Sequence, residues 1–232
     1  MYSMDDLKEN RNAQITVACI AFFLIAFPTY FSVAAERADG SLGGGVGDYK
    51  VNGEVTYVTL DSGAEYVADG TPWSGTFSTD ALNGADNLNI VGVRVSLSYG
   101  EDEQGRGLPA CGSQTAADTI SGSATHGEFS NSANGQNGGG SGSHDVTVEW
   151  FNSSMVEAVV KGLSVNEIKS QIDSMGAGLG QYDIEISVDA QGDSCINPLA
   201  ADNEDNGEDV SYTIELMVFD YTIVPYIEIP EE

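Results

Sequence analysis

The chain opens with one long apolar stretch and continues as short segments in which apolar and polar residues alternate. Residues 15–35 carry no charged side chain. At about 1.5 Å of rise per residue, a helix of this length matches the hydrocarbon core of a bilayer, which is about 30 Å thick. We therefore predict a single-pass transmembrane helix at 15–35 that acts as a signal anchor, after a cytoplasmic tail at 1–14. The glycine-rich residues 36–48 are predicted to form a flexible tether.

The rest of the chain, residues 49–232, is patterned as antiparallel strands. Segments 88–99, 145–150 and 182–188 alternate apolar with polar residues, and this period of two is typical of half-buried strands. Segment 210–224 starts in the same way and becomes apolar on both faces, as a central strand does. We expect a mainly β domain with the fold of an antiparallel sandwich, immunoglobulin-like or jelly-roll-like.

Two segments depart from the strand pattern. Ser164 and Glu167 have the spacing of a helix capping box. The apolar stripe that follows at helical spacing consists of Val165, Ile168, Ile172 and Met175. These features predict one short helix that packs on the sandwich. Residues 131–143 are low in complexity and rich in glycine and asparagine, so we predict a loop there, with a linker between two small domains as the alternative.

The charge of the chain is strongly one-sided. The sequence has 36 Asp and Glu residues against 8 Lys and Arg residues, which gives a net charge of −28. Such a surface repels nucleic acid and anionic lipid headgroups, and it favours cations and basic surfaces as partners. The balance is also typical of proteins from salt-rich settings, so we expect a saline-environment archaeon or bacterium. An ordinary acidic surface protein is the alternative.

The cysteines and one sequon indicate the side of the membrane. Cys111 and Cys195 lie in the predicted domain, whereas Cys19 lies in the apolar segment. A lone pair outside the membrane predicts a disulfide and an oxidising compartment. Two free thiols in a cytosolic domain are the alternative. Asn152 begins an Asn-x-Ser sequon, which makes it a candidate glycosylation site and agrees with an extracytoplasmic domain.

Acidic clusters follow the ends of several predicted strands. The candidate calcium ligands among them are Glu101, Asp102, Glu103, Asp189, Asp193, Asp202, Glu204 and Asp205. Calcium binds six to eight hard oxygen atoms, which loops of this kind supply. The predicted disulfide would bring these clusters to one end of the domain. The twelfth position counted from Asp202 is Thr213, which has no carboxylate, so an EF-hand is excluded. Solvated acidic loops are the alternative.

The chemistry-bearing residues do not form a catalytic motif. His126 and His144 are too few for a zinc site, no G-x-S-x-G motif is present, and we expect both histidines to be solvated loop residues. Trp73, in a turn-rich region, is the candidate ligand-binding residue for a sugar, whereas Trp150 is expected in the core. We expect a non-catalytic envelope or surface protein for adhesion, scaffolding or assembly. It would have no cofactor apart from calcium, and its partners would be envelope proteins or glycans.

The layout of an N-terminal apolar helix followed by a β domain resembles archaeal pilins and archaellins. It also resembles the single-pass β-sandwich accessory proteins of the archaellum. The resemblance implies a filament component that is processed before the apolar helix, near 13–14. Two further alternatives are a tethered carbohydrate-binding protein and a secreted protein cleaved within 32–35, where small residues fit a signal-peptidase site.

Overall fold

The fold is described from a computed structural model. The ranges it describes are residues 14–16, 19–20, 22–26, 45–100, 117–137, 140–191 and 205–227. The chain divides into two compact units, Met1–Gly47 and Asp48–Glu232. In the first unit the described residues from 14 to 26 are helical. None of the helices in the described ranges combines the length and the apolar character that crossing a bilayer requires. The anchor at 15–35 therefore stays a prediction.

The second unit is a sandwich of two antiparallel sheets with few helices. Its strands are β1 Gly47–Ala68, β2 Trp73–Ser78, β3 Ile90–Tyr99, β4 Thr119–His126, β5 Phe129–Gln136, β6 Gly142–Glu149, β7 Val159–Leu163, β8 Gln181–Asp189 and β9 Gly207–Pro225. One sheet has the order β6-β3-β9-β1-β7 and the other has the order β2-β8-β4-β5. The predicted sandwich fold is therefore confirmed.

The main core lies between the two sheets and follows from strand alternation. On β3 the side chains of Val93, Val95 and Leu97 are at most 1% exposed, and Ile184 and Ile186 on β8 are equally buried. All five belong to one apolar cluster. Because successive strand residues point to opposite faces, the residues between them reach the outer surface of each sheet.

The longest strand pair in the described part of the chain is β1 with β9. It runs from Tyr49 opposite Pro225 to Ala68 opposite Gly207, with a bulge between Thr59 and Asp61. Residues 61–72 contain the turn sequences Asp61-Ser62-Gly63 and Asp69-Gly70, which favour an interruption of the strand. The strand instead continues to Ala68 because the bulge absorbs the irregularity and pairing resumes.

Strand β9 is apolar on both faces because both faces are covered. Leu216 and Val218 belong to the core between the sheets. Met217 and Phe219 belong to a second cluster on the outer face of the five-stranded sheet. β9 lies between β3 and β1 in the middle of its sheet. The prediction of a central strand is confirmed.

The predicted helix forms α1, Val165–Ile172, and closes the second cluster. Ser164 and Glu167 make the reciprocal bonds of a capping box, and Ile168 and Ile172 are fully buried. Met175 was expected on the same stripe but is 76% exposed. The helix ends before it, so the helical spacing no longer applies at that position.

The predicted loop at 131–143 contributes to two strands. β5 extends to Gln136 and β6 begins at Gly142. The prediction of a loop is wrong for 131–136 and 142–143, because strand pairing uses backbone groups, which polar and small residues also provide. Small side chains are required at this corner, since a Cβ atom on Gly135 would collide with the hydroxyl group of Tyr99.

Candidate functional site

Three carboxylates converge at one end of the sandwich. Ligand atoms of Asp118, Asp205 and Glu208 all lie within 4.8 Å of one another. Asp118 and Glu208 are 0% exposed, whereas Asp205 is half-buried. We call Asp118, Asp205 and Glu208 the carboxylate cluster. Carboxylate oxygens at this separation are the donor set that a hard divalent cation binds.

Asn137 connects two members of the carboxylate cluster. Its side-chain amide donates hydrogen bonds to Asp118 Oδ2 at 3.0 Å and to Glu208 Oε1 at 3.2 Å. Its Oδ1 accepts the backbone N–H of Asp118 at 2.8 Å. The backbone N–H of Gln191 also donates to Asp118 Oδ1, at 2.6 Å. Buried carboxylates need such donors, because their desolvation is costly.

Strand register brings the cluster together. Asp118 and Asn137 immediately flank the β4–β5 pair, in which Thr119 lies opposite Gln136. On the other sheet, the β1–β9 pair ends with Ala68 opposite Gly207. Gly207 has a φ of 136°, and a Cβ atom there would collide with the carbonyl oxygen of Val67. Glycine therefore permits the close approach that places Glu208 inside.

Only part of the predicted calcium site falls on described residues. Asp205 belongs to the carboxylate cluster. Asp189 lies at the end of β8, where its Oδ1 accepts a hydrogen bond from Gln191, and it is not a member. The predicted ligands outside the described residues are Glu101, Asp102, Glu103, Asp193, Asp202 and Glu204. Sequence reasoning did not select Asp118 or Glu208. Glu208 stands in the acidic run at 202–209, which was a usable signal.

The cysteine and glycosylation predictions stay predictions. Cys111 and Cys195 lie outside the described residues, and Cys19 is an exposed free thiol. Asn152 is half-buried. Its side-chain amide donates to Gln171 at 3.0 Å, and the hydroxyl group of Ser154 donates to Asn152 Oδ1 at 2.6 Å.

Trp73 lies on β2, an edge strand of the four-stranded sheet, and belongs to an aromatic group with Phe77 and Tyr212. Its ring centroid lies 5.1 Å from that of Tyr212, and the Phe77 centroid lies 6.0 Å from Tyr212. Trp73 is half-buried and packs against the main core. Burial, with smaller contributions from Asp61 and Glu65, raises the pKa of Tyr212.

The expectation that both histidines are solvated is wrong for His126. It lies on β4 and is 6% exposed. Its ring stacks on Tyr182 at 4.2 Å. Its Nδ1 lies 2.8 Å from the carbonyl oxygen of Gln181, and its Nε2 lies 2.6 Å from that of Ala177. His126 therefore connects β4 to the start of β8 and the turn before it. Its sequence context did not predict this structural role.

His144 is half-buried on β6 rather than solvated in a loop. Its Nδ1 lies 3.1 Å from the hydroxyl oxygen of Tyr99. Burial lowers the pKa of His144, and the nearby Asp145 opposes this shift. Burial also raises the pKa of Tyr99. Trp150, in contrast, packs against the main core as expected, and its indole N–H donates to Ile90.

Comparisons with known proteins give no family. No family model matches the chain, and no curated protein matches it. Among solved structures it is similar to the carbohydrate-binding module TmCBM61 in complex with β-1,4-galactotriose, at 10% identity and a TM-score of 0.25, over 77% of this chain and 88% of that chain. It is also similar to a chain of the Mud crab tombus-like virus, at 8% identity and a TM-score of 0.20, over 76% and 84%. Likenesses this distant carry no argument about function.

Proposed function

We propose that this chain is a non-catalytic envelope protein that holds an acidic β-sandwich on the outer side of a membrane. It would serve adhesion, scaffolding or assembly there. The observation that carries the proposal is the uncharged segment 15–35, which precedes a separate compact unit, Asp48–Glu232. The net charge of −28 favours basic protein surfaces and cations as partners.

Exposed apolar side chains in the first unit support a membrane anchor. The large apolar side chains at the described helical positions of this unit are at least 54% exposed, namely Ile15, Ile20, Phe22, Phe23, Leu24 and Ile25. Apolar helix surface of this kind needs a cover, and a lipid bilayer provides one.

Membrane extraction tests the anchor. An anchored chain stays in the membrane pellet after an alkaline carbonate wash. Arginine is costly at the centre of a spanning helix, by about 3 kcal/mol per residue, so Phe23→Arg with Leu24→Arg should release the protein. Val46→Arg, in the tether, is the control and should leave the protein in the pellet. Release of the unaltered protein by the wash would refute the proposal.

We further propose that the carboxylate cluster binds calcium. Its three members repel one another where water is excluded, and a divalent cation replaces that repulsion with attraction. The burial of Asp118 and Glu208 favours a site that excludes solvent. Calcium should raise the melting temperature well above the shift that sodium chloride produces at equal ionic strength. Equal shifts would refute the site.

A carbohydrate ligand is the second candidate function, and Trp73 favours it. Its ring is half-buried, so part of it can stack on the apolar face of a sugar ring. Tyr212, which is 8% exposed, packs against Trp73 within the core. Binding on a glycan panel that is lost in Trp73→Ala would support this function. The absence of binding to any glycan on the panel would refute this function.

A further inference from the structure

Strand β1 leaves part of its edge open. β7 is its neighbour on that side, and the backbone N–H of Val51 donates to Ala158 O at 3.0 Å. Two residues later the backbone N–H of Gly53 donates instead to the side chain of Glu157, at 2.8 Å. The chain before β7 therefore runs antiparallel to β1, since Ala158 faces Val51 and the preceding residue, Glu157, faces Gly53. β7 itself then lies toward the N-terminal end of β1, and the Glu157 side chain accepts the N–H that points outward from Gly53.

The open edge can be assigned residue by residue. On β9 the backbone N–H of Phe219 donates to Asn89 O, on the side away from β1. Phe219 lies opposite Val55, so Val55 directs its own N–H and C=O away from β9. Backbone groups alternate along an antiparallel strand. Tyr57 and Thr59 therefore point the same way as Val55, and the bulge after Thr59 ends this run.

Because β7 runs from Val51 toward the start of β1, the strand neighbour of Val55–Thr59 within the described ranges is β9, on the other side. Thr56, Tyr57 and Thr59 are exposed, and the Tyr57 side chain is 43% exposed. Three outward pairs of N–H and C=O groups are available for hydrogen bonds. An open edge of this kind is where an extended segment of another chain adds as a strand.

An acidic cleft lies next to this edge, beside the residues that precede Val55. It has a volume of about 550 Å³ and is lined by Glu54, Glu157 and Asp220, with Asn52 and Thr222. Glu54 and Asp220 are directly opposite each other in the β1–β9 register. Like charges at such a pair are unfavourable until a cation lies between them. One cation is close, since Lys50 lies 3.8 Å from Glu157, but three carboxylates surround the cleft.

We propose that Val55–Thr59 and this cleft form a docking surface for an extended, basic segment of a partner protein. The partner's backbone would pair with β1, and a lysine or arginine side chain would enter the cleft between Glu54, Glu157 and Asp220. Charge disfavours a second copy of this chain as the occupant. Its β1 has the single basic residue Lys50 against four acidic ones, Asp48, Glu54, Asp61 and Glu65.

Amide hydrogen exchange with a synthetic peptide tests this surface. The probe is a short peptide in which lysine alternates with valine, and its counterpart has glutamate in place of lysine. The lysine peptide should protect the amides of Val55, Tyr57 and Thr59, and the glutamate peptide should not. Equal protection by both peptides, or protection of other strands instead, would overturn the proposal. So would protection of these amides in the free protein that grows with its concentration, since this indicates self-pairing.

Paired variants distinguish the contribution of the cleft to peptide affinity from the contribution of overall charge. The double change Glu157→Gln and Asp220→Asn keeps an oxygen acceptor for the N–H of Gly53. It should weaken binding of the lysine peptide about fivefold. Glu128→Gln with Glu185→Gln removes the same charge from exposed positions elsewhere and should leave affinity unchanged. Thr59→Pro removes one outward N–H at an edge that tolerates proline, so it should reduce affinity without unfolding the domain. Equal losses in both double variants would refute the cleft.

Discussion

Asp118 and Asn137 hydrogen-bond to each other twice. The backbone N–H of Asp118 donates to Asn137 Oδ1 at 2.8 Å, and the Asn137 amide donates back to Asp118 Oδ2 at 3.0 Å. Asp118 is 0% exposed and Asn137 is 4% exposed. The pair therefore closes the end of the β4–β5 hairpin and holds one carboxylate of the cluster in place.

Replacing Asn137 should destabilise the domain strongly. Asn137→Ala removes the amide donor from Asp118 and Glu208, and a buried charged group that loses a hydrogen bond costs about 2–3 kcal/mol. Asn131→Ala is the control, because Asn131 is exposed and donates only one bond that the structure describes, to Thr147. Urea unfolding measures both. If Asn137→Ala lowers the free energy of unfolding no more than the control does, Asn137 does not stabilise the buried carboxylates.

Neutralising one buried carboxylate should abolish the calcium response. Glu208→Gln keeps the size of the side chain and an oxygen acceptor but removes a charged ligand. Asp209→Asn makes the same charge change at the exposed neighbour. We expect the calcium-dependent rise in melting temperature to disappear in the first variant and to persist in the second. If both variants keep the rise, calcium binds elsewhere.

Stability should fall in mildly acidic solution because of His144. Burial lowers its pKa in the folded chain, whereas the unfolded chain takes up a proton near its ordinary pKa of about 6.5. Below that pH the unfolded state therefore binds more protons, and the free energy of unfolding decreases as the pH falls. His144→Asn should remove this component. A difference between wild type and variant that stays constant from about pH 8 to pH 5 would contradict it.

Arg94 should matter far more than Lys50, although each forms one ion pair. Arg94 Nη2 lies 2.6 Å from Glu215 Oε2, and its guanidinium lies 3.7 Å from the ring centroid of Tyr57. The hydrogen bond to Glu215 raises the pKa of Arg94. Arg94→Ala should cost about 2 kcal/mol. Lys50→Ala, which breaks a pair at 3.8 Å with Glu157, should cost less than about 0.5 kcal/mol. Chemical denaturation measures the free energy of unfolding of both variants, and equal losses would contradict this prediction.

Most elements of the fold could be predicted from the local pattern of apolar and polar residues. The strand at 182–188 was predictable because each residue alternates with the next, and the observed β8 is Gln181–Asp189. The capping box of Ser164 and Glu167 was predictable because both partners lie within one helical turn. Residues 131–136 of β5 escaped prediction because their pairing depends on β4, and their own side chains carry no strand signal.

The candidate site was less accessible to sequence reasoning. Asp205 was selected because it stands in an acidic run, but its partner Asp118 is far from it in sequence. What joins them is the register of two separate strand pairs, β4 with β5 and β1 with β9. A single sequence does not specify strand partners, so the end of the sandwich was foreseen as acidic while two of its three converging carboxylates were not.

Intact-mass spectrometry of the protein, extracted from native membranes without reductant, shows whether the chain keeps its predicted N-terminal anchor. An anchored chain should have a mass that includes residues 1–35, and this mass should be two hydrogens below that of the reduced chain if Cys111 and Cys195 are joined. Loss of the first 34 or 35 residues would contradict the anchor and make the protein secreted. A cut near residue 13 would contradict it in favour of filament assembly.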